Sequence, residues 1–194
     1  ERLTARGQKM AALGNDPRLA AMLVAAQGND EIATAARLAA ILEEPPRGGT
    51  SDLGQAFSRN QGNWQQRAQQ LCKRLNSRGG VPDSESLSRL LAQAFPDRIA
   101  RRRGLDGRYQ LANGMGAMLD SDDALTRHEW LIAPLLLQGS NSPDARILQA
   151  IAVDIDALTR TCPHLLQQSD IVEWDDAQGT LKAFRRSQIG KLTL

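Results

Sequence analysis

The stretch FPDRIARRRGLDGRYQLANGMGAM, residues 95–118, marks the point where the sequence changes character. Helical spacing of apolar residues continues to Arg103, and glycines and turn residues follow it. Asn113-Gly114 lies between the short runs RYQLA and GAML, and this dipeptide is typical of a tight turn between two antiparallel strands. We therefore predict that helices precede this stretch and that strands begin within it.

The sequence downstream of this stretch predicts further strands. The apolar runs HEWLIAPLLLQG and ARILQAIAV each form a strand, and Pro134 marks an edge or a bulge in the first. A short helix in DIDALTRTCPHLL, opened by Asp154 or Asp156, interrupts the strands. A hairpin that turns at Asp175–Gly179 and a last strand in QIGKLTL follow. Five or more short strands with one helix favour a small β-barrel, with the OB-fold as the leading candidate.

The sequence upstream predicts four or five short helices. Asp16-Pro17 is a helix start, because Asp can cap free backbone N–H groups and Pro fits the first helical position. Pro45-Pro46 ends the second helix, and one helical turn is expected at Asp52–Phe57. Two more helices are expected, one over Trp64–Asn76 and one that begins at Pro82-Asp83.

We therefore predict an α+β protein with an all-helical bundle in residues 1–97 and a small OB-like β-barrel in residues 98–194. The hydrophobic share of 41% and the charged share of 24% are ordinary for a globular protein. No apolar run approaches the ~20 residues that span a bilayer, so we expect no membrane association. Cys72 and Cys162 lack the spacing of metal ligands, and we expect reduced thiols of an intracellular protein and no metal site.

Positive charge is concentrated in the first part of the chain. Residues 1–110 contain 17 Lys and Arg against 11 Asp and Glu, whereas residues 111–194 contain 7 against 11. An arginine-rich half suggests a polyanionic partner. An incidental imbalance of surface charge explains the same numbers equally well.

Two groups of basic side chains are candidates for RNA contact. The denser group lies near the helix-to-strand junction, where guanidinium groups can pair with phosphates without recognising sequence. The alternatives for this group are a solvated helix end or ion pairs with Asp97 and Asp106. The second group lies on the predicted helix over Trp64–Asn76, where a solvated face is the simpler explanation. The candidates are Arg98, Arg101, Arg102, Arg103, Arg108, Arg67, Lys73 and Arg74.

Aromatic and catalytic candidates are weaker. Aromatic rings in the strands can stack on bases, but most of them fit a core position better; they are Tyr109, Trp130, Trp174 and Phe184. We predict no catalytic residue, because His128 and His164 lie far apart in the sequence and neither is near a nucleophile motif. Carboxylates such as Asp154 and Asp156 suit helix caps and turns.

Five blocks follow one another along the chain, and their order is more specific than any one of them: LTARGQKMAALGNDPRLAAML, FPDRIARRRG, YQLANGMGAML, EWLIAPLLLQG and ARILQAIAVD. Together they resemble the DEAH-box ATP-dependent RNA helicases. After Met118 most members have a segment like His-Pro-Ser-Ser, whereas this sequence has LDSDDAL. That difference makes the chain most similar to the HrpB-type branch.

The resemblance implies a helical ratchet domain in residues 1–97 and an OB-like domain in residues 98–194 of a motor that uses ATP and Mg. The motor motifs themselves are absent from the sequence. Gly190-Lys191 has Arg185 where a phosphate-binding loop needs Gly, and there is neither an Asp-Glu-Ala-His tetrapeptide nor a Gln-Arg-x-Gly-Arg run. We therefore expect no cofactor and no ATP hydrolysis in this chain, and ATP and Mg to bind elsewhere in the full protein.

The implied role is to form one wall of a channel for single-stranded RNA and to brace the RecA-like motor domains of the same polypeptide, in a cytoplasmic monomer. The alternatives are a protein-interaction module and a purely structural module without RNA contact. The chain begins at Glu1 without Met and ends on the apolar pattern QIGKLTL. We expect it to be a piece of a longer protein.

Overall fold

The computed structural model describes residues 4–14, 16–48, 50–59, 62–139 and 142–194. The helices in these residues are α1 (Ala5–Leu13), α2 (Pro17–Ala25), α3 (Gly28–Glu43), α4 (Leu53–Ser58), α5 (Gly62–Arg74), α6 (Leu87–Ala94) and α7 (Ile155–Thr161). The strands are β1 (Ile99–Arg102), β2 (Arg108–Leu111), β3 (Gly116–Met118), β4 (Trp130–Leu137), β5 (Asp144–Ala152), β6 (Gln167–Asp175), β7 (Thr180–Ile189) and β8 (Leu192–Thr193). None of the helices in the described residues is long and apolar enough to cross a membrane.

Capping side chains begin α2, α4 and α7 where the sequence predicts helix starts, but the helix predicted from Pro82-Asp83 begins only at Leu87. Asp83 instead accepts from the Glu85 and Ser86 N–H groups in the turn before it. Asp16 Oδ1 accepts from the Arg18 N–H at 2.9 Å at the start of α2, and Asp52 caps α4 in the same way. At α7 the two predicted alternatives are resolved, because Asp154 Oδ1 accepts from two backbone N–H groups at 3.0 Å each. These bonds satisfy N–H groups that have no partner within their own helix.

Strands β1 to β5 form a closed barrel in the order β1-β2-β3-β5-β4. Only β3 and β5 pair in parallel, and the other neighbours are antiparallel. Five strands in this Greek-key arrangement confirm the predicted OB-like barrel. Pro134 lies where the β4–β5 register shifts, which confirms a bulge there.

The predicted helical spacing up to Arg103 is wrong. Helix α6 ends at Ala94, one 3-10 turn follows at Pro96–Arg98, and Ile99 begins β1. Pairing with two other strands decides this conformation, because Ala100 faces both Leu111 of β2 and Leu131 of β4. Local helical spacing is a weak preference, and the pairing of β1 with one strand on each side outweighs it in the closed barrel.

Strands β6, β7 and β8 form a separate three-stranded sheet, so the barrel closes at Ala152 and not at the end of the predicted range 98–194. The predicted turn at Asp175–Gly179 is confirmed, but QIGKLTL is not one strand. A turn at Gly190 interrupts it, with φ at +56° and with a hypothetical Cβ only 2.3 Å from the Ala112 carbonyl oxygen. Glycine is required there by both the left-handed backbone and the close approach.

Two apolar cores hold the described residues together. The smaller core fills the barrel with Ala100, Tyr109, Leu111 and their neighbours. The larger core contains the buried faces of the helices and extends over the outside of the barrel, where Ile99 and Ile132 belong to it. The helices therefore share their core with the barrel, and the prediction of an all-helical bundle as a separate unit is not confirmed.

Candidate nucleic-acid interface

The five basic residues predicted near the junction, here called the junction arginines, do not share one surface, because side chains alternate along β1. Arg101 lies 5.2 Å from the centre of the Trp130 ring, donates to Glu129 Oε1 at 3.0 Å, and donates to the carbonyl oxygen of Thr193. Arg102 instead donates to two backbone carbonyl oxygens, at 3.1 and 3.2 Å. Both side chains connect β1 to neighbouring segments.

The other junction arginines are Arg98, Arg103 and Arg108. Arg98 Nε lies 3.4 Å from Asp97 Oδ2, and Arg108 Nε lies 3.0 Å from Asp106 Oδ2. The ion pairs considered as an alternative are therefore present. Arg103 is exposed, and its side chain makes no hydrogen bond or ion pair within the described ranges.

The three cations predicted on α5 also differ in whether their side chains have partners. Arg67 donates two hydrogen bonds to the Glu43 carboxylate, at 2.7 and 3.0 Å. These bonds raise the pKa of Arg67 above its usual value. Arg74 Nη1 donates to the Leu13 carbonyl oxygen at 2.7 Å and so satisfies the end of α1. Lys73 is exposed, and its ammonium group has no partner among the residues that the structure describes.

Lys73 lies in a groove of about 420 Å³ between α3, α5 and the loop after α5, here called the α3–α5 groove. Three cations line it, Arg37, Lys73 and Arg78, together with the amides Gln65 and Gln69. No carboxylate is among the described residues that line the groove. Because like charges in a concave surface reinforce one another, this lining favours the binding of an anion.

The helical repeat of α5 builds one wall of the groove. Gln65, Ala68, Gln69 and Cys72 follow at positions i, i+3, i+4 and i+7, which places them on one stripe of the helix. The small side chain of Ala33 on α3 faces the same space. Burial raises the pKa of the Cys72 thiol, so this residue adds no negative charge near neutral pH.

The loop that forms the other wall is held against the first turn of α3. Asn29 Oδ1 accepts from Ser77 Oγ at 2.9 Å and from the Arg78 N–H at 3.3 Å, and Asp30 Oδ1 accepts from the next part of the loop at 2.9 Å. Gly80 approaches α3 so closely that a Cβ there would lie 2.3 Å from the Asn29 carbonyl oxygen. These contacts fix the backbone position from which Arg78 extends.

Arg37 belongs to the groove and to the packing beneath it. Its guanidinium carbon lies 5.1 Å from the centre of the Phe57 ring, and Nη1 donates to the Phe57 carbonyl oxygen at 3.3 Å. A guanidinium group has five N–H donors, so these contacts leave others for a ligand. Arg37 is thus a positioned cation, whereas the Lys73 and Arg78 side chains are exposed and have no hydrogen-bond or ion-pair partner among the described residues.

Sequence and fold both have counterparts among known proteins. The family model described as "ATP-dependent RNA helicase HrpB, connector region" matches residues 165–194. The protein named ATP-dependent RNA helicase HrpB from Escherichia coli strain K12 is 77% identical over all 194 residues, which are 100% of this chain and 24% of that protein. Over its whole length the chain matches a region of HrpB.

Solved structures of an HrpB protein agree with this match and with the resemblance found in the sequence. The crystal structure of the E. coli DExH-box NTPase HrpB matches with a TM-score of 0.94 at 77% identity. A crystal structure of the E. coli DEAH/RHA helicase HrpB matches with a TM-score of 0.90 at 71% identity. Each match covers 100% of this chain and 24% of the other chain, so the chain spans about a quarter of the length of these HrpB relatives.

The region that matches the HrpB connector model contains the β6–β8 sheet and the two exposed aromatic candidates. Trp174 is 60% exposed and Phe184 is 42% exposed, whereas Tyr109 and Trp130 are buried. Every basic residue in the β6–β7 hairpin pairs with a carboxylate of β6; these residues are Lys182, Arg185 and Arg186. The exposed rings are therefore not accompanied by unpaired positive charge.

The structure adds groove residues that the sequence alone did not identify, namely Arg37, Arg78, Gln65 and Gln69. The spacing of the two glutamines from Lys73 in steps of four was visible in the sequence and indicated a shared helix face. The two arginines gave no such signal, since one lies in an alanine-rich helix and the other in a glycine-rich loop. Only the packing of α3 against α5 brings them together.

The carboxylates predicted at helix caps and turns serve local structure. Within the described residues, no group of three His, Cys, Asp or Glu side chains could hold a metal ion. Asp154 caps α7, and Asp175 Oδ1 accepts from two N–H groups of the hairpin turn, at 2.9 and 3.2 Å.

Proposed function

We propose that the chain is the accessory region of an HrpB-type ATP-dependent RNA helicase and that its α3–α5 groove binds single-stranded RNA. The observation that supports this is the group of three cations, Arg37, Lys73 and Arg78, in a groove whose described lining contains no carboxylate. Spaced cations along a groove attract a polyphosphate backbone and need no particular base sequence.

The domain assignment follows from the same proposal. The helices in residues 1–97 would act as the ratchet-like domain, and residues 98–194 would supply the OB-like domain beside it. Together they would form one wall of the RNA channel and brace the RecA-like motor domains of the same polypeptide. ATP and Mg would bind to those motor domains, and ATP hydrolysis would take place there, in a cytoplasmic monomer.

The eight residues predicted to contact RNA would differ in whether their side chains are available to it. Lys73 and Arg103 have side chains without partners among the described residues, and we assign RNA contact to them first. Arg98, Arg101, Arg102, Arg108, Arg67 and Arg74 each hold an ion pair or a backbone carbonyl oxygen. Contact through these six would require RNA to compete with those partners.

Fluorescence anisotropy of a labelled single-stranded RNA, titrated with the 194-residue chain at low and moderate salt, tests the proposal. We expect binding that weakens with added salt and that Lys73→Ala/Arg78→Ala reduces at least about tenfold. Arg185→Ala/Arg186→Ala is the matched control, because it removes two cations outside the groove. Equal loss in both variants, or no binding at low salt, would reject the groove as the RNA site.

A second candidate function, protein docking, is favoured by the β6–β7 hairpin. Its pairing register places Val172, Trp174, Leu181 and Ala183 on one face, and the first three are 60 to 67% exposed. Exposed apolar patches with neutralised charge are typical of interaction surfaces. Titration calorimetry with the purified motor domains of the E. coli relative would detect docking, and Trp174→Ser/Leu181→Ser should abolish it.

A further inference from the structure

Two amide side chains line the α3–α5 groove. Gln65 and Gln69 lie one helical turn apart on α5, and Lys73 follows after another turn. Both glutamines are exposed, and neither side chain makes a hydrogen bond to another described residue. Their donors and acceptors are therefore available in the groove that the three cations also line.

No aromatic ring on which a base could stack is among the described residues that line the groove. Trp64 is the nearest aromatic residue on α5, but it is 6% exposed and its indole N–H donates to the Glu44 carbonyl oxygen at 2.8 Å. The described lining of the groove is otherwise aliphatic, polar or cationic. A base that enters the groove would thus be held by its edge and not by its face.

We propose that Gln65 and Gln69 hydrogen-bond to the edges of unpaired nucleobases, while Arg37, Lys73 and Arg78 bind the phosphates of the same strand. This inference rests on the proposed function and deepens it, because it adds base contact to a groove that otherwise recognises only charge. It makes the two glutamines the residues that distinguish a strand with bases from a bare sugar–phosphate chain.

The chemistry of the amide group supports this division. A phosphate offers only acceptors, so a cation satisfies it and the carbonyl oxygen of a glutamine does not. A base edge offers a donor beside an acceptor, and the amide presents the complementary pair. Contacts to phosphate position a strand, and contacts to base edges give the discrimination.

The spacing of the groove residues fits one strand. Gln65, Gln69 and Lys73 lie on successive turns of one helix, at a rise of about 5.4 Å per turn. A single strand can therefore pass along α5 with bases towards the glutamines and phosphates towards the cations. Exposed amides without partners also lose no internal hydrogen bond when they bind a base.

The test compares two labelled 12-nucleotide ligands that carry the same charge, an ordinary single-stranded RNA and an abasic ribose–phosphate strand. Anisotropy titrations use the 194-residue chain in its wild-type form and as Gln65→Ala/Gln69→Ala. We expect wild type to bind the RNA about tenfold more tightly than the abasic strand. The double variant should bind both ligands with the affinity that wild type has for the abasic strand.

The matched control is Gln66→Ala/Gln70→Ala, which removes two amides from α5 outside the lining of the groove. It should keep the tenfold difference, and thermal unfolding should show that both variants fold. Equal binding of the two ligands by wild type, or a difference that survives Gln65→Ala/Gln69→Ala, overturns the inference. If abasic binding still depends on Lys73 and Arg78, the proposed function stands; if neither ligand binds at low salt, the proposed function fails as well.

Discussion

The junction arginines and the α3–α5 groove are both basic, but they differ in what their charges contact. Four of the five junction arginines hold carboxylates or backbone carbonyl oxygens of the chain itself. In the groove, Lys73 and Arg78 have side chains without such partners in the described residues, and no carboxylate lines the space. The density of arginine along a sequence thus measures charge, whereas availability for a ligand depends on the partners that the fold supplies.

The comparison indicates different roles for similar side chains. Arg101 contacts Trp130, Glu129 and Thr193, so it joins β1 to β4 and to β8. The Lys73 side chain is exposed and has no hydrogen-bond or ion-pair partner among the described residues. The first should matter for stability and the second for binding, and substitutions can separate the two effects.

The largest effect is expected for Gly80→Ala, which changes the backbone that positions the groove. A Cβ would meet the Asn29 carbonyl oxygen at 2.3 Å, so the loop must move away from α3. We expect a loss of about 1–3 kcal/mol in the free energy of unfolding, typical of overpacking, together with weaker RNA binding. Gly62→Ala is the control, since no neighbouring atom of the described residues lies within 4 Å of its Cβ position. Unchanged stability in urea unfolding of Gly80→Ala would contradict this account.

The next effect is expected for Arg101→Ala. Loss of the Glu129 ion pair and of the contact with the Trp130 ring should lower the free energy of unfolding by about 1 kcal/mol. RNA affinity should change little, because Arg101 already has partners within the chain. Arg103→Ala should leave stability unchanged, as its side chain has none in the described part of the chain. An Arg101→Ala variant that keeps its stability but loses RNA binding would reverse the comparison.

A smaller, pH-dependent effect is expected at Asp97, which receives two hydrogen bonds from Arg18 at 2.5 and 3.1 Å. Burial acts to raise the pKa of Asp97, but these bonds outweigh it and the pKa lies below its ordinary value. The stabilisation is therefore complete above the unfolded pKa of about 3.9 and disappears as pH falls through the folded pKa. The stability difference between wild type and Asp97→Asn should narrow below about pH 4.

Asp106→Asn is the control for this pH series. Asp106 forms an ion pair with Arg108 in which both side chains remain about 60% exposed. Exposed ion pairs contribute little to stability. Chemical unfolding at several pH values between 2 and 7 would measure both variants. If the difference in the free energy of unfolding between wild type and Asp97→Asn were constant throughout that range, the charged form of this carboxylate would not contribute to stability.

The smallest effect is expected in the salt dependence of RNA binding. Each phosphate contact to a single strand adds about 0.7 to the slope of log K against log salt. Lys73→Ala should therefore lower the slope by about that amount, and Arg108→Ala should leave it nearly unchanged. Titrations at four salt concentrations suffice to determine the slopes. Equal slopes for wild type and Lys73→Ala would show that Lys73 makes no phosphate contact.

Much of the architecture was predictable from local sequence signals. Asp16-Pro17 and Asp52 begin helices because their carboxylates satisfy nearby N–H groups, and Asn113-Gly114 lies at the turn between β2 and β3, since glycine accepts the left-handed backbone there. These signals act over a few residues, so sequence reasoning finds them. The helical spacing around Arg101 was misleading, because the pairing of β1 with β2 and β4 outweighs it.

The candidate site was less predictable than the fold. Lys73 was identified from the face of its helix, but Arg37 and Arg78 lie 36 residues before it and 5 residues after it, in segments of different composition. Nothing in the sequence distinguishes these two arginines from Arg67 or Arg74, which the fold pairs with Glu43 and with the end of α1. Whether a cation has a partner depends on residues that are distant in sequence.

The sequence by itself determined the capped starts of α2 and α4, the turns, the change from helices to strands and the family resemblance, because these depend on short segments and on their order. The tertiary structure alone decided that β1 is a strand, that β6–β8 leave the barrel, and that the helices share their core with it. It also decided which basic side chains are neutralised and which line a groove. Strand pairing, core formation and ion pairing join segments far apart in the chain, and the energies that decide them arise only when those segments meet.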